Sequence, residues 1–285
     1  MIRTLPSSKA YITGFKIFII LYFLFLFAPL IVVCILAFND SMFPSLPWQG
    51  FTLDWFFGQG PGKIGIFHDA INLRSISVSF KVAFAVTILS TGVGILAAFL
   101  FVQEDFRFKN LLYFLMLAPL VIPGVILGIS ILLFTNTIGL FFEKTFGIDI
   151  KFLRPGFWLV VLGQFSFITT IVALVISAKL KKFDRTLEEA AYNLGANRFE
   201  VIWFITLKYL RSSIIGGAAV AFLMSFENFN TTLFLVGAES TLPINLYLQV
   251  RDGSTPVINA ISFLLILSTS IIAVSNLYFG NKNKF

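Results

Sequence analysis

Six long apolar stretches constrain this chain more than any other feature. They lie at about 15–38, 75–102, 111–134, 157–178, 213–236 and 257–280. Each is long enough to cross about 30 Å of hydrocarbon as a helix. In lipid every backbone polar group needs an internal partner, so only helices and closed barrels span it. Barrel strands alternate apolar and polar residues over about 10 positions. Runs such as IFIILYFLFLFAPLIVVCIL, from Ile17 to Leu36, do not alternate. The expected fold is an all-α membrane protein with about six transmembrane helices, forming one transmembrane domain over residues 1–285.

The first stretch is read as a retained helix rather than a secretory leader. Its apolar core runs from Ile17 to Phe38 and is followed by Asn39 and Asp40. A leader has a core of about 7–15 residues and a small-residue cleavage site.

Charge sets the expected orientation. The net charge is +7, but the basic residues flank apolar spans, a distribution that argues against a nucleic-acid partner. With the N-terminus inside, fourteen Lys and Arg fall on inner segments and six on outer ones. The inner set includes Arg3, Lys9, Lys16, Lys282 and Lys284, and seven residues between 179 and 212. The positive-inside rule then places both termini in the cytoplasm. Lys81 lies within the second span and is expected to snorkel outward or to face the bundle.

Few residues are suited to chemistry. Only 12% of residues are charged, against about 25% in soluble domains. One Cys, Cys34, and one His, His68, leave no disulfide within the chain and no cysteine metal cluster. GPGKI, from Gly60 to Ile64, lacks the Gly at 57 and the Ser or Thr at 64 that a phosphate-binding loop requires. It is expected to be a turn in an outer loop, 39–74, that also carries Trp48, Trp55 and a short surface helix. No catalytic role is assigned to any residue.

Glu227 is the only acidic residue inside the six stretches. A carboxylate there should face the bundle interior or a water-filled cavity. If the fifth span is helical throughout, Glu227, Asn230 and Thr231 share a face at i, i+3 and i+4. With Asn228 they would line a translocation path that attracts a cation. The alternative is a polar contact between helices. In the third span, Pro119 and Pro123 are placed to interrupt the helix beside a cavity.

The inner segment 179–212 is the most informative. Residues 184–211 read DRTLEEAAYNLGANRFEVIWFITLKYLR. Leu187, Ala190, Ala191 and Leu194 recur at i, i+3, i+4 and i+7, one apolar face of a short helix. Asp184 can cap it and Gly195 can end it. A second helix, with Val201, Ile202 and Ile205 on one side, completes a hairpin.

This segment resembles the EAA loop of permease subunits of bacterial ATP-binding-cassette importers. The family pattern is EAA, three residues, Gly, nine residues, Ile, any residue, Leu, Pro. The chain has Glu189, Ala190, Ala191, Gly195, Ile205 and Leu207, preceded by Glu188, with Lys208 in place of Pro. FNDSMFPSLPWQGFTLDWF, from Phe38, and LPINLYLQVRDGSTPVINAISFLLIL, from Leu242, are similar to segments of spermidine/putrescine-type permeases, the second permease subunit above all.

The resemblance implies a type I importer (MetI-like) permease fold of five core helices plus an N-terminal one. It implies an EAA hairpin docked on an ATPase subunit. The implied partners are a second, related permease, two ATP-binding-cassette ATPase subunits and an outer solute-binding protein, in a bacterial inner membrane. ATP and Mg²⁺ would belong to the ATPase, with no cofactor on this chain. Polyamine permeases often carry an acidic residue after the second Pro, where this chain has Gly124. Another cargo, such as an amino-acid-like solute or ferric iron, is an alternative within the importer class. A stand-alone secondary transporter is a further alternative, but the inverted repeats and intramembrane charges typical of one are not evident.

Overall fold

The computed structural model describes residues 9–60, 62–253 and 255–282, with side chains described for 11–60, 62–253 and 255–271. Arg3 and Lys284 of the charge argument therefore lie outside the described residues.

Helices dominate. In chain order they are α1 (Lys9–Leu36), α2 (Asp54–Phe57), α3 (Ala70–Gln103), α4 (Lys109–Val121), α5 (Gly124–Phe146), α6 (Phe157–Leu180), α7 (Thr186–Asn193), α8 (Arg198–Val201), α9 (Leu207–Phe226), α10 (Leu242–Asp252) and α11 (Val257–Lys282). A π-helical segment, Ile202–Thr206, joins α8 to α9. Short 3₁₀ turns lie at Lys151–Leu153 and Thr232–Phe234. Among the described residues, five helices are long and apolar enough to cross a membrane: Tyr11–Leu36, Ala70–Gln103, Gly124–Phe146, Phe157–Leu180 and Arg198–Phe226. Lys109–Val121 is apolar but shorter, and α11 runs for 26 residues, Val257–Lys282.

Two of the expected spans are not continuous helices. The stretch 111–134 is split, because Pro123 has no N–H and forces Ile122 out of the helical region, to φ −76° and ψ 127°. Pro119 is accommodated inside α4, and in the turn before it the Met116 carbonyl accepts a hydrogen bond of 2.7 Å from Thr170 Oγ1. The stretch 213–236 is displaced towards the N-terminus. Its helix begins at Arg198 and stops at Phe226.

The chain divides into two compact units, residues 1–73 with 248–285, and residues 74–247. The first holds α1, the outer loop and α11. Phe38 anchors the loop, stacking on Phe51 at 5.5 Å and meeting Phe263 of α11 edge-on at 5.0 Å. Trp55 Nε1 donates to the Asn39 carbonyl at 2.8 Å, and Lys63 bridges Asp40 and Asp54. Those carboxylates, the hydrogen bond to Asp40 first, raise the Lys63 pKa. Helix α2 buries Trp55 and Phe56 on one side and leaves Asp54 and Phe57 exposed on the other. The GPGKI turn sits in a two-stranded ladder pairing β1 (Gln59–Gly60) with β2 (Lys63–Ile64).

The second unit is organised around α6, whose Leu159, Ile168, Val172 and Ile176 are fully buried with Val82, Val86 and Leu210. Small residues bring its neighbours close. A Cβ on Gly94 of α3 or Gly217 of α9 would meet Val172 Cγ1 at 2.8 or 3.4 Å. Without a hydrophobic force between helices in lipid, such close approach is what holds a bundle.

Candidate functional site

Two features of the 74–247 unit bear on function, a pair of helix interruptions and the hairpin.

The first interruption is at Ile122–Pro123. The second follows Phe226, where the chain leaves the helix at Glu227 and re-forms a single 3₁₀ turn at Thr232. The two are neighbours. A Cβ on Gly124, the first residue of α5, would lie 3.0 Å from Asn230 Cβ and 3.1 Å from Thr231 Oγ1. One turn further along α5, a Cβ on Gly128 would lie 2.6 Å from the Thr231 carbonyl oxygen. On α6, Gly163 faces Leu235 Cδ1 and Thr231 Cγ2. The segment after the break thus lies in a trough of glycines. Gly124 stands where the resemblance implies a carboxylate, and the close approach of Asn230 is the physical reason a bare α-carbon fits there.

Because the helix ends at Phe226, Glu227, Asn230 and Thr231 do not share a helical face as expected. Glu227 and Asn230 are exposed, Asn228 is half-buried and Thr231 is buried. The Glu227 side chain makes no hydrogen bond or ion pair among the described residues. Asn228 explains why the helix stops. Its Oδ1 accepts from Thr232 N at 3.2 Å and Thr232 Oγ1 at 2.9 Å, offering the backbone an alternative to the helical ladder.

Hydropathy gave no sign of Gln164, which sits in the middle of the apolar α6. It is completely buried. Its Nε2 donates to Thr232 Oγ1 at 2.8 Å, and its Oε1 accepts from Ser225 Oγ. A Gln inside an apolar run is the signal that could have identified it, since a buried amide requires partners.

The hairpin is built as its residue types dictate. The Asp184 carboxylate accepts from Thr186 N at 3.0 Å and Thr186 Oγ1 at 2.8 Å, and these bonds hold its pKa below the ordinary value. Its contribution to the hairpin is therefore complete above the usual carboxylate range and lost as pH falls through the lowered pKa. Gly195 has φ +91°. Its N–H reaches the Tyr192 carbonyl and that of Ala196 reaches Ala191, at 2.9 and 3.1 Å, a Schellman closure that needs a left-handed residue. Asn197 and Glu200 form a reciprocal capping box at the start of α8. Glu188 accepts from the buried Thr206 hydroxyl at 2.5 Å, tying α7 to the π-helical segment.

One aspect of the hairpin differs from expectation. Its second helix has no end at Lys208, where the family Pro is missing. Arg198–Phe226 is one rod of 29 residues, roughly 43 Å at 1.5 Å per residue, leading from the hairpin to the break at Glu227. Ile205 lies in the π-helical stretch and Leu207 opens α9. The apolar face of α7 is unpartnered. Leu187 and Leu194 are exposed, with Glu189 and Ala190, while Glu188 and Ala191 are half-covered. Phe199, Trp203 and Phe204 are exposed beside them.

Outside these features, Arg74 pairs with Glu239. That bond, with Lys81 adding a smaller attraction, lowers the Glu239 pKa. Lys81 is exposed on α3.

Comparison with known proteins places this geometry. Residues 90–279 match the family described as binding-protein-dependent transport system inner membrane component. The chain is 32% identical over 258 residues to the putrescine transport system permease protein PotI of Escherichia coli (strain K12), covering 90% of this chain and 86% of that protein. It is 26% identical over 262 residues to the spermidine/putrescine transport system permease protein PotC of the same strain, covering 91% of each. With the molybdenum transport system permease protein ModB of Mycobacterium bovis it shares 30% identity, covering 70% of this chain and 76% of that one. In fold it resembles a chain of a bacterial ABC transporter involved in the import of the acidic polysaccharide alginate. The TM-score is 0.77 at 16% identity, with 97% of each chain covered. The chain belongs to the binding-protein-dependent transport system inner membrane component family, and is a multi-pass membrane permease with the type I importer fold.

Proposed function

We propose that this chain forms one half of the translocation path of an ATP-driven importer for an organic cation of the putrescine or spermidine class. The observation that carries the reading is its likeness to the putrescine permease over most of its length. Glu227 supports it. A carboxylate at a helix break within the apolar 213–236 stretch, exposed and without a partner among the described residues, is suited to a passing ammonium group. Asn228, Asn230 and Thr231 supply neutral polar groups beside it. In this reading Glu188, Glu189, Ala190, Ala191, Gly195, Ile205 and Leu207 form the surface that docks on an ATPase subunit. Closure of the ATPase reaches the break through the continuous rod from Arg198 to Phe226. A second permease of related sequence completes the path, two ATPase subunits carry ATP and Mg²⁺, and an outer binding protein delivers the cargo.

The molybdenum relative makes a different cargo the concrete alternative. The discriminating experiment is uptake of radiolabelled putrescine in cells that lack their own polyamine import and carry this chain with its co-purified subunits. We expect uptake that spermidine suppresses and molybdate leaves unchanged. Uptake of molybdate but no amine would reject the cation reading.

The same proposal places both termini and residues 179–212 in the cytoplasm, supported by the Lys and Arg bias. A Cys replacing Asn193 in a Cys34→Ala background should stay unlabelled by an impermeant thiol reagent added to intact cells, and label after permeabilisation. Equal labelling in both conditions would reverse the orientation.

A further inference from the structure

A single side chain from another helix bridges the two ends of the break after Phe226. Ser225 sits on the last turn of α9, before the break, and Thr232 opens the 3₁₀ turn after it. Gln164 of α6 touches both, accepting from Ser225 Oγ and donating to Thr232 Oγ1 at 2.8 Å. Thr232 Oγ1 in turn donates a hydrogen bond to Asn228 Oδ1, inside the break, at 2.9 Å. The donors run in one direction, from Ser225 through Gln164 and Thr232 to Asn228. Gln164, Ser225 and Thr232 are all buried, at 0%, 3% and 0% exposure, so water does not compete for these bonds.

We propose that Gln164 is a positioning residue for transport, a clamp that fixes the ends of the break and thereby sets where Glu227 and Asn230 stand. The proposal rests on the reading of that break as part of the translocation path. Its physical basis is geometric. The four residues between Glu227 and Thr232 keep only isolated backbone turns, Asn228 N to the Ser225 carbonyl at 3.2 Å and Leu233 N to the Phe229 carbonyl at 3.0 Å, and Gln164 spans that gap with one rigid amide plane. Were Gln164 only a packing residue, its two polar ends would not need to reach opposite sides of the interruption. If it is the clamp, removing it should leave the bundle assembled but let the break wander, so that ATP is hydrolysed without solute being moved.

The test uses the whole complex, purified with its partner subunits and reconstituted in vesicles, with radiolabelled putrescine as the probe. Gln164→Leu keeps the volume and removes both bonds. We expect assembly and ATPase rate to stay within about twofold of wild type, and putrescine moved per ATP hydrolysed to fall about tenfold. Ser225→Ala and Thr232→Val should each lower that ratio, and neither should lower it further when added to Gln164→Leu, because all three break one unit. An unchanged ratio in Gln164→Leu, or a parallel fall of uptake and ATPase rate with loss of assembly, would overturn the clamp. Wild-type complex that moves no putrescine would instead refute the transport reading on which the clamp rests.

Discussion

Replacing Gly195 with Asp is expected to abolish uptake, by roughly a hundredfold or more, while the chain still inserts and assembles. Gly195 holds φ +91° and a Cβ there meets nothing within 4 Å. The local cost is therefore backbone strain of about 1–2 kcal/mol, plus about 0.3–1 kcal/mol for an anion at the C-terminal end of α7. That total is too small to unfold a bundle whose core lies around α6. The damage should fall on the docking surface, because the carboxylate projects from the turn between the exposed Leu194 and α8. Binding-protein-stimulated ATPase activity should disappear with uptake. Gly195→Ala, which brings strain without charge or length, should keep partial activity. Gly195→Asp with normal uptake and stimulation would remove the hairpin from the coupling mechanism.

Gly128→Val is expected to be equally damaging for a different reason. A Cβ at Gly128 would lie 2.6 Å from the Thr231 carbonyl oxygen and 3.3 Å from the Thr231 carbonyl carbon and Cα. All three are backbone atoms, so no side chain can rotate away. The segment after the break must then separate from α5, pulling Thr232 from Gln164. Overpacking of this kind costs about 1–3 kcal/mol, enough to lower the thermal midpoint of the detergent-solubilised complex measurably, and uptake should fall to background. Gly139→Ala on the same helix, where a Cβ meets nothing within 4 Å, should keep uptake and leave stability unchanged or raised by up to about 1 kcal/mol. Wild-type behaviour of Gly128→Val would mean that α5 and Thr231 are not held against each other in the working protein.

Much of this architecture follows from residue order, and the exceptions have identifiable causes. Hydropathy locates apolar runs but does not register hydrogen-bond competition within them. Pro123 announces its break because it lacks an N–H. The break after Phe226 contains neither Pro nor Gly, and arises because Asn228 takes the Thr232 amide. Periodicity alone runs the helix on through Glu227, Asn230 and Thr231 and puts them on one face. The hairpin is more legible, since Asp184 and Gly195 act on their own neighbours in sequence. Its fusion with α9 is not, because the continuity depends on packing against α6 and on the Glu188–Thr206 bond across 18 positions. Gln164 was hidden by its apolar flanks, and its partners are 61 and 68 residues away.

The most direct measurement of the central claim is putrescine uptake into vesicles containing the purified complex, with the binding protein outside and the ATPase face supplied with ATP and Mg²⁺. The account predicts ATP-dependent accumulation by the wild-type complex. At limiting putrescine, Glu227→Gln should lower it about tenfold with assembly and basal ATPase activity unchanged, because the substitution keeps shape and removes only charge. No ATP-dependent accumulation by the wild-type complex, or equal accumulation by the Glu227→Gln complex at every putrescine concentration, would contradict a cation path past Glu227.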